Sequence, residues 1–316
     1  MMKSDKTISV ITPVYNEENN IQPFLDRLIP VLEKLSPNYE IIFSMDPCTD
    51  ETEKVIMENI KKNSSIKLLL MSRRFGQPAA TQAGILNCSG DYCVAIDVDL
   101  QDPPELIEEM YEKALDGYDV VLARRKSRKG ETFIKRIIAR TGYYLIKKLS
   151  DVEIPENTGD YRLISRRVID QLRNLQEKHG FLRGLVAYVG FKQTYVTYDR
   201  DARFADSGKY SRLTGSIKIG LNGLIGFSTK PLFIMSLLGF ILASLSFLIG
   251  MFYFLSKIFG ADITPGLPTT VILITFFSGV QLIGLGLIGE YIGRIYDEVK
   301  RRPMYIIDKK VGFKKD

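Results

Sequence analysis

The chain has 316 residues, 45% of them hydrophobic and 25% charged, with 43 Lys and Arg against 37 Asp and Glu and a formal charge of +6 at pH 7. That balance excludes intrinsic disorder, and only Cys48, Cys88 and Cys93 are present, without a Cys-x-x-Cys spacing, which excludes a disulfide scaffold or a thiolate cage and reads as cytosol-facing. A single histidine, His179, removes His-rich zinc sites and nearly all Ser-His-Asp or Cys-His chemistry, leaving carboxylates, basic groups and hydroxyls.

From Thr7 the β-branched run TISVITPVY predicts a strand, and NEENN predicts a helix start with Asn16 as cap and Glu17 and Glu18 in the first turn. Ile21, Phe24, Leu25, Leu28, Val31, Leu32 and Leu35 recur at helical spacing as one apolar face. Further strands are predicted at 39–44, 66–71, 92–96 and 120–123, with helices at 52–62, 78–87 and 104–115 between them. Such alternation suits right-handed βαβ units, so the fold class is α/β with a doubly wound, mostly parallel sheet. Ligands of such sheets sit at the strands' carboxyl ends where the strand order reverses. No glycine follows the first strand and no Walker A loop is present, so an NAD, FAD or P-loop site is not expected.

The fourth strand runs into AIDVDLQDPPE, which sets Asp97 and Asp99 two apart at a strand's carboxyl end with Gln101 and Asp102 behind them. Hard oxygen ligands there suit Mg²⁺ or Mn²⁺ held together with a diphosphate; a solvated turn is the alternative, because Asp-x-Asp is a common pairing. Beyond it, TFIKRIIARTGYYLIKKL (132–149) mixes apolar residues with Lys135, Arg136, Arg140, Lys147 and Lys148, and 210–227 repeats the pattern with Leu213, Ile217, Leu221 and Leu224 beside Arg212 and Lys218. Both suit helices lying in a headgroup layer that guide an anionic lipid; ordinary packing helices with solvated basic faces are the alternative. His179, in EKHGFLRG, reads as a surface residue.

No charged side chain lies between Lys230 and Lys257, or between Asp262 and Glu290. Each stretch exceeds the about 20 residues a helix needs to cross a bilayer. Lys209, Arg212, Lys218 and Lys230 precede the first, and Arg294, Lys300, Arg301, Arg302, Lys309 and Lys310 follow the second, so the positive-inside rule places both termini and the α/β portion in the cytoplasm. MMKSDKTISV has no long apolar h-region, so no cleaved signal peptide is expected. Basic residues concentrated beside the spans fit anionic lipid and not nucleic acid. The expected organisation is a core over 1–130, an acceptor-side segment over 131–229, two spans over 230–290 and a cytoplasmic basic tail over 291–316, with association into a homo-oligomer.

TPVYNEENN, SMDPCTDET, SRRFGQPAATQAGI, AIDVDLQDPPE, RRKSRKGE, NTGDYRLISRR and RFADSGKYSR resemble, in order and spacing, family 2 glycosyltransferases, and among them the polyprenyl-phosphate enzymes: the dolichol-phosphate mannosyltransferase-like group and the GtrB-type bacterial enzymes with two C-terminal transmembrane helices. The resemblance covers nearly the whole chain. It implies a GT-A type fold and an inverting, metal-dependent transfer of a hexose, glucose from UDP-glucose foremost, to undecaprenyl phosphate; GDP-mannose or a UDP-aminosugar is the alternative donor, and a non-catalytic membrane-anchored binding or scaffold protein the alternative class. On this resemblance Pro13, Tyr15, Glu17, Asp46, Arg73 and Asp97 hold the nucleotide sugar, Met45 standing where the family often has an aspartate. Asp97, Asp99 and Gln101 match the Mg²⁺ or Mn²⁺ and diphosphate ligands, and Arg125 and Arg128 the basic residues that meet phosphate. Asp160 is the carboxylate nearest the reacting centre, with an ion pair to Arg162 that merely fixes a turn as the alternative. Arg203 and Lys209 match the basic pair beside the acceptor loop, joined at the acceptor phosphate by Arg136 and Arg140. A processive polysaccharide synthase would need a Gln-x-x-Arg-Trp motif, and the chain contains no tryptophan.

Overall fold

The computed structural model describes residues 5–126, 158–175, 177, 182–199, 225–260 and 266–313. Among these, one sheet is built from β1 (Ile8–Val14), β2 (Tyr39–Met45), β3 (Ile66–Met71), β4 (Tyr92–Ala95), β5 (Val120–Arg125), β6 (Thr158–Ser165), β7 (Gln193–Tyr198) and β8 (Ile307–Val311), in the order β7-β5-β6-β4-β1-β2-β3-β8. The helices are α1 (Glu18–Leu35), α2 (Thr52–Lys62), α3 (Gln77–Asn87), α4 (Leu106–Leu115), α5 (Arg166–Asn174), α6 (Leu182–Val189), α7 (Lys230–Ile258) and α8 (Leu267–Val299).

The sheet is covered on both faces because its central strands bury residues on both sides of the pleat. Ile8 and Val10 of β1 face the cluster holding Phe24, Leu28, Ile56 and Met110 of α1, α2 and α4, whereas Ile11 faces the cluster holding Ala83, Val168, Ile169 and Leu185 of α3, α5 and α6. Each such large side chain removed from water contributes about 1.5–3 kcal/mol. Helix α3 lies close over β1 and β2: a Cβ at Gly84 would stand 2.1 Å from Ile11 Cγ2 and 2.7 Å from Ser44 Oγ.

Strands β1, β2 and β3 are laid down in one direction, after which the chain crosses back to place β4 on the other side of β1. The order therefore reverses between β1 and β4, and a crevice opens at their carboxyl ends. Strand β6 enters antiparallel between β4 and β5, pairing Tyr92 with Ser165 and Ala95 with Arg162.

Three features depart from the sequence expectation. Helix α1 begins at Glu18 with Glu17 at the cap position, and Asn16 takes φ +55° instead of capping. Its amide clamps the next loop, donating to Thr49 Oγ1 at 3.0 Å and accepting the Thr49 N–H at 2.9 Å. Strands β6 and β7, from the segment over 131–229, and β8, from the tail over 291–316, lie in the same sheet as β1 to β5. The basic tail thus does not hang free. Helix α8 runs on to Val299, and Ile307–Val311 then pairs antiparallel with β3, setting Leu68 opposite Val311 and Leu70 opposite Lys309. The exposed lysines at 309 and 310 alternate around this strand as charges that blunt a sheet edge.

Tyr305, Ile307 and Phe313, after α8, and Phe227, before α7, all pack on the α3–α5–α6 side of the core. Tyr291 Oη donates to the Ser228 carbonyl at 2.6 Å, so the two long helices are tied together where they leave the sheet domain. The stretches Lys230–Ser256 and Thr270–Val299 are long and apolar enough to cross a membrane. Phe233, Phe240, Phe247, Ile272, Leu282 and Leu285 on them are all exposed. So continuous an apolar surface calls for lipid around it. The expected helix over 132–149, most of that over 210–227, His179, and Arg128, Arg136, Arg140, Arg203 and Lys209 lie outside the described residues.

Candidate active site

The crevice is assembled from the ends of β1, β2, β4 and β6. Beyond β1 the half-buried Tyr15 lies under the Arg74 guanidinium, whose centre stands 3.9 Å from the ring centroid. Arg73 stacks in the same way on Phe75 at 4.0 Å. Pro13 pairs with Ser44 in the β1–β2 ladder, and the Glu17 N–H is held by Thr52 Oγ1 at 2.9 Å. These residues lie beyond or beside the carboxyl ends of β1, β2 and β3.

Asp46, at the end of β2, is almost wholly buried, and its two oxygens accept the backbone N–H groups of Phe75 at 3.1 Å and Gly76 at 2.8 Å. Gly76 takes φ +91°, a conformation that side chains rarely adopt, and so turns the chain sharply into α3. The first residue of that helix, Gln77, donates from Nε2 to Asp97 Oδ1 at 2.7 Å. Asp46 thus shapes the loop that carries Arg73 and Arg74 and delivers Gln77 to the centre.

Beyond β4 the chain makes a tight turn in which Asp99 Oδ1 accepts the Gln101 N–H at 3.1 Å while Leu100 is held at φ +58°. A leucine in the left-handed region stores strain, and such strain collects at functional sites. Asp99 and Asp102 are buried and Asp97 half-buried, which is not a solvated turn. Tyr198 of β7 donates its hydroxyl to Asp102 Oδ1 and accepts from Arg125 Nε at 3.2 Å, with Arg125 Nη2 3.8 Å from the same carboxylate. Tyr161 Oη anchors the far side of the turn on the Pro103 carbonyl at 2.9 Å.

Asp160 projects from β6 into this group. Its carboxylate receives Arg183 Nε at 2.9 Å and Arg183 Nη2 at 3.2 Å, while the expected partner, the fully buried Arg162, stands off at 3.4 Å. Burial works to raise the Asp160 carboxyl, but the charge and hydrogen bonds of Arg183, with Arg162 and Arg125 behind, hold it below the usual range. Asp97 goes the other way, up to about 7, through burial first and then the like charges of Asp160, Asp99 and Asp102. Burial also brings Arg162 down to about 10.

Among the described residues no three Asp, Glu, His or Cys side chains converge as a cation cage. What the crevice offers is the smaller donor set of Asp97, Asp99 and Gln101. Two hard carboxylates with one amide, in a locally anionic spot, fit a Mg²⁺-like ion whose remaining ligands come from substrate phosphates.

Of the expected site residues, the structure brings together Asp97, Asp99, Gln101, Arg125 and Asp160 at one end of the sheet, with Pro13, Tyr15, Glu17, Asp46 and Arg73 on its β1–β2 side. Sequence reasoning missed Gln77, Arg74, Tyr198 and above all Arg183. Arg183 lies in FLRGLV, where one arginine in an apolar helix was the only available signal.

Comparison with known proteins bears on this arrangement. The model of "Glycosyl transferase family 2" matches residues 9–173, from β1 into α5. The uncharacterized glycosyltransferase YkcC of Bacillus subtilis is 43% identical, over 96% of this chain and 94% of its own length. An uncharacterized glycosyltransferase of Synechocystis sp. is 42% identical over 95% and 94%. The SfII prophage-derived bactoprenol glucosyl transferase of Shigella flexneri is 39% identical over 96% and 97%.

Proposed function

Because this chain belongs to glycosyl transferase family 2, we propose that its reaction is the inverting transfer of glucose from UDP-glucose to a polyprenyl phosphate at the cytoplasmic face of a membrane. One observation carries the reading: the likeness to the Shigella bactoprenol glucosyl transferase runs over 96% of the chain, so it takes in the sheet and both apolar helices together. An enzyme acting on a soluble acceptor has no need of the second part.

In this reading a phosphate oxygen of the lipid bonds to the anomeric carbon from the face opposite the diphosphate. The bond from that carbon to the diphosphate oxygen breaks, and its electron pair leaves with UDP. Negative charge grows on the leaving diphosphate, where oriented cationic groups lower the barrier most. Arg125, braced by Tyr198 and Asp102, serves there together with Arg128. Asp99, Asp97 and Gln101 would hold a Mg²⁺ or Mn²⁺ ion, which when bound would supply Lewis-acid neutralisation of the same charge. Tyr15, Glu17, Pro13 and Arg73 hold the nucleotide, with Asp46 fixing the loop beside it. Arg136, Arg140, Arg203 and Lys209 receive the acceptor phosphate. A phosphate monoester has its second pKa near about 6 and is largely dianionic at pH 7, so no base has to remove a proton from it. Asp160 therefore positions and does not deprotonate.

In this reading both termini and the sheet lie on the cytoplasmic side, which the basic residues flanking the two apolar stretches favour, and the protein associates as a homo-oligomer. The test presents purified protein with undecaprenyl phosphate, Mg²⁺ or Mn²⁺ and a panel of UDP- and GDP-sugars, and weighs the extracted lipid. A gain of one hexose only from UDP-glucose and only with metal supports the reading, whereas a gain from GDP-mannose or a UDP-aminosugar corrects the donor. Nucleotide binding without any glycolipid refutes it. Asp99→Ala should abolish turnover in protein that stays folded and membrane-bound.

A further inference from the structure

Continuing the β4–β6 register two positions past the Ala95–Arg162 pair sets Asp160 opposite Asp97. Two carboxylates facing each other across neighbouring strands repel. With 41% of its side chain exposed, Asp160 is not held by packing. Two arginines attend it, and they do different work. Arg162 gives Nε to the Asp160 carbonyl at 3.1 Å and Nη2 to the Gly159 carbonyl at 3.0 Å, and reaches the carboxylate only with Nη2 at 3.4 Å from Oδ1, so its main work is to brace the backbone of β6. Arg183 gives Nε and Nη2 to separate carboxylate oxygens, a two-point fork on the side chain itself. Its helix, α6, is seated in the core by Leu182, Leu185 and Val186, so the fork comes from a rigid element. A planar guanidinium matches a carboxylate in this way, and an ammonium does not.

We propose that Arg183 is a positioning residue of the transfer site, whose fork fixes both oxygens of Asp160 in one orientation, so that Asp160 takes part as a fixed anion and not as the acceptor's base. The inference rests on the polyprenyl-phosphate reading above. Arg183 acts through Asp160, on the β6 side of the crevice, so its loss acts on the transfer step and leaves the donor bound. Freeing a group to shift by about 1 Å costs about 100-fold in rate.

The experiment uses the full chain in detergent micelles: wild type, Arg183→Gln, Arg183→Lys, Asp160→Asn and the Arg183→Gln/Asp160→Asn double variant. Turnover is followed at saturating undecaprenyl phosphate while UDP-glucose is varied, and UDP binding is measured by calorimetry, which also shows that each variant is folded. Arg183→Gln should lower kcat about 100-fold while KM for UDP-glucose and Kd for UDP stay within about twofold. Arg183→Lys, which keeps the charge and loses the fork, should fall between Arg183→Gln and wild type. The double variant should be no slower than Asp160→Asn alone, because a residue acting through another has nothing left to lose. Wild-type kcat in Arg183→Gln, multiplicative losses in the double variant, or a rise in KM with kcat intact would each overturn the assignment. A wild type that binds UDP yet makes no glycolipid refutes the reaction itself and this role with it; a wild type that turns over beside an equally active Arg183→Gln refutes the role alone.

Discussion

Asp46 separates two readings of the same residue: a carboxylate that reads the base, as the family resemblance implies, and one that builds the loop beside it. Its two oxygens hold the N–H groups of Phe75 and Gly76. A hydrogen bond to a charged acceptor is worth about 1.5–3 kcal/mol, so Asp46→Ala should cost about 3–6 kcal/mol. For a domain of this size each kcal/mol lowers the melting temperature by about 2–4 °C, which makes the expected drop about 6–24 °C. Asp46→Asn keeps one acceptor but turns an amide N–H against the second backbone donor, so it should lose at least half as much. Because Gln77 and Arg74 ride on this loop, UDP affinity should fall in both variants in step with stability. Circular dichroism melting of the detergent-solubilised protein, beside UDP titration, reads both quantities. If Asp46→Asn melts like the wild type while its UDP affinity collapses, the carboxylate reads the base and the loop argument fails.

Gly84→Ala puts a methyl group 2.1 Å from Ile11 Cγ2, and prising α3 from β1 should cost about 1–3 kcal/mol, visible as a lower melting temperature. Asp97 gives a pH signature. With its carboxyl raised to about 7 in the fold against 3.8 as reference, the folded chain keeps a proton that the unfolded chain releases, so this group's stabilisation is complete below about pH 4 and is lost as pH rises towards 7. In metal-free buffer Asp97→Asn, which mimics the neutral form, should therefore gain in melting temperature over wild type between pH 5 and pH 8. An equal difference at both pH values would contradict the raising of the Asp97 carboxyl by burial and by its acidic neighbours.

The alternation of strands and helices up to β5 was legible because each element carries its own signal: β-branched runs such as TISVI, and an apolar face from Ile21 to Leu35. The two spans were legible for the same reason, since an absence of charge over a membrane's thickness is a local property. Asp97, Asp99 and Asp160 were located by motif. Asn16 was misjudged because a cap residue and a left-handed turn residue share the same chemistry, and only the position of Thr49 decides between them.

Composition, periodicity and motif order therefore determined the fold class, the membrane-spanning helices and the family of this protein, since all three are written in neighbouring residues. Tertiary structure alone decided that Ile307–Val311 completes the sheet beside β3, because edge pairing depends on which backbone is left open and not on the strand's own sequence. It alone set the N–H groups of Phe75 and Gly76 on Asp46, put Asp160 opposite Asp97, and brought Arg183 to it from 23 residues along the chain. A carboxylate's role is fixed by the donors around it, and those are gathered by the fold.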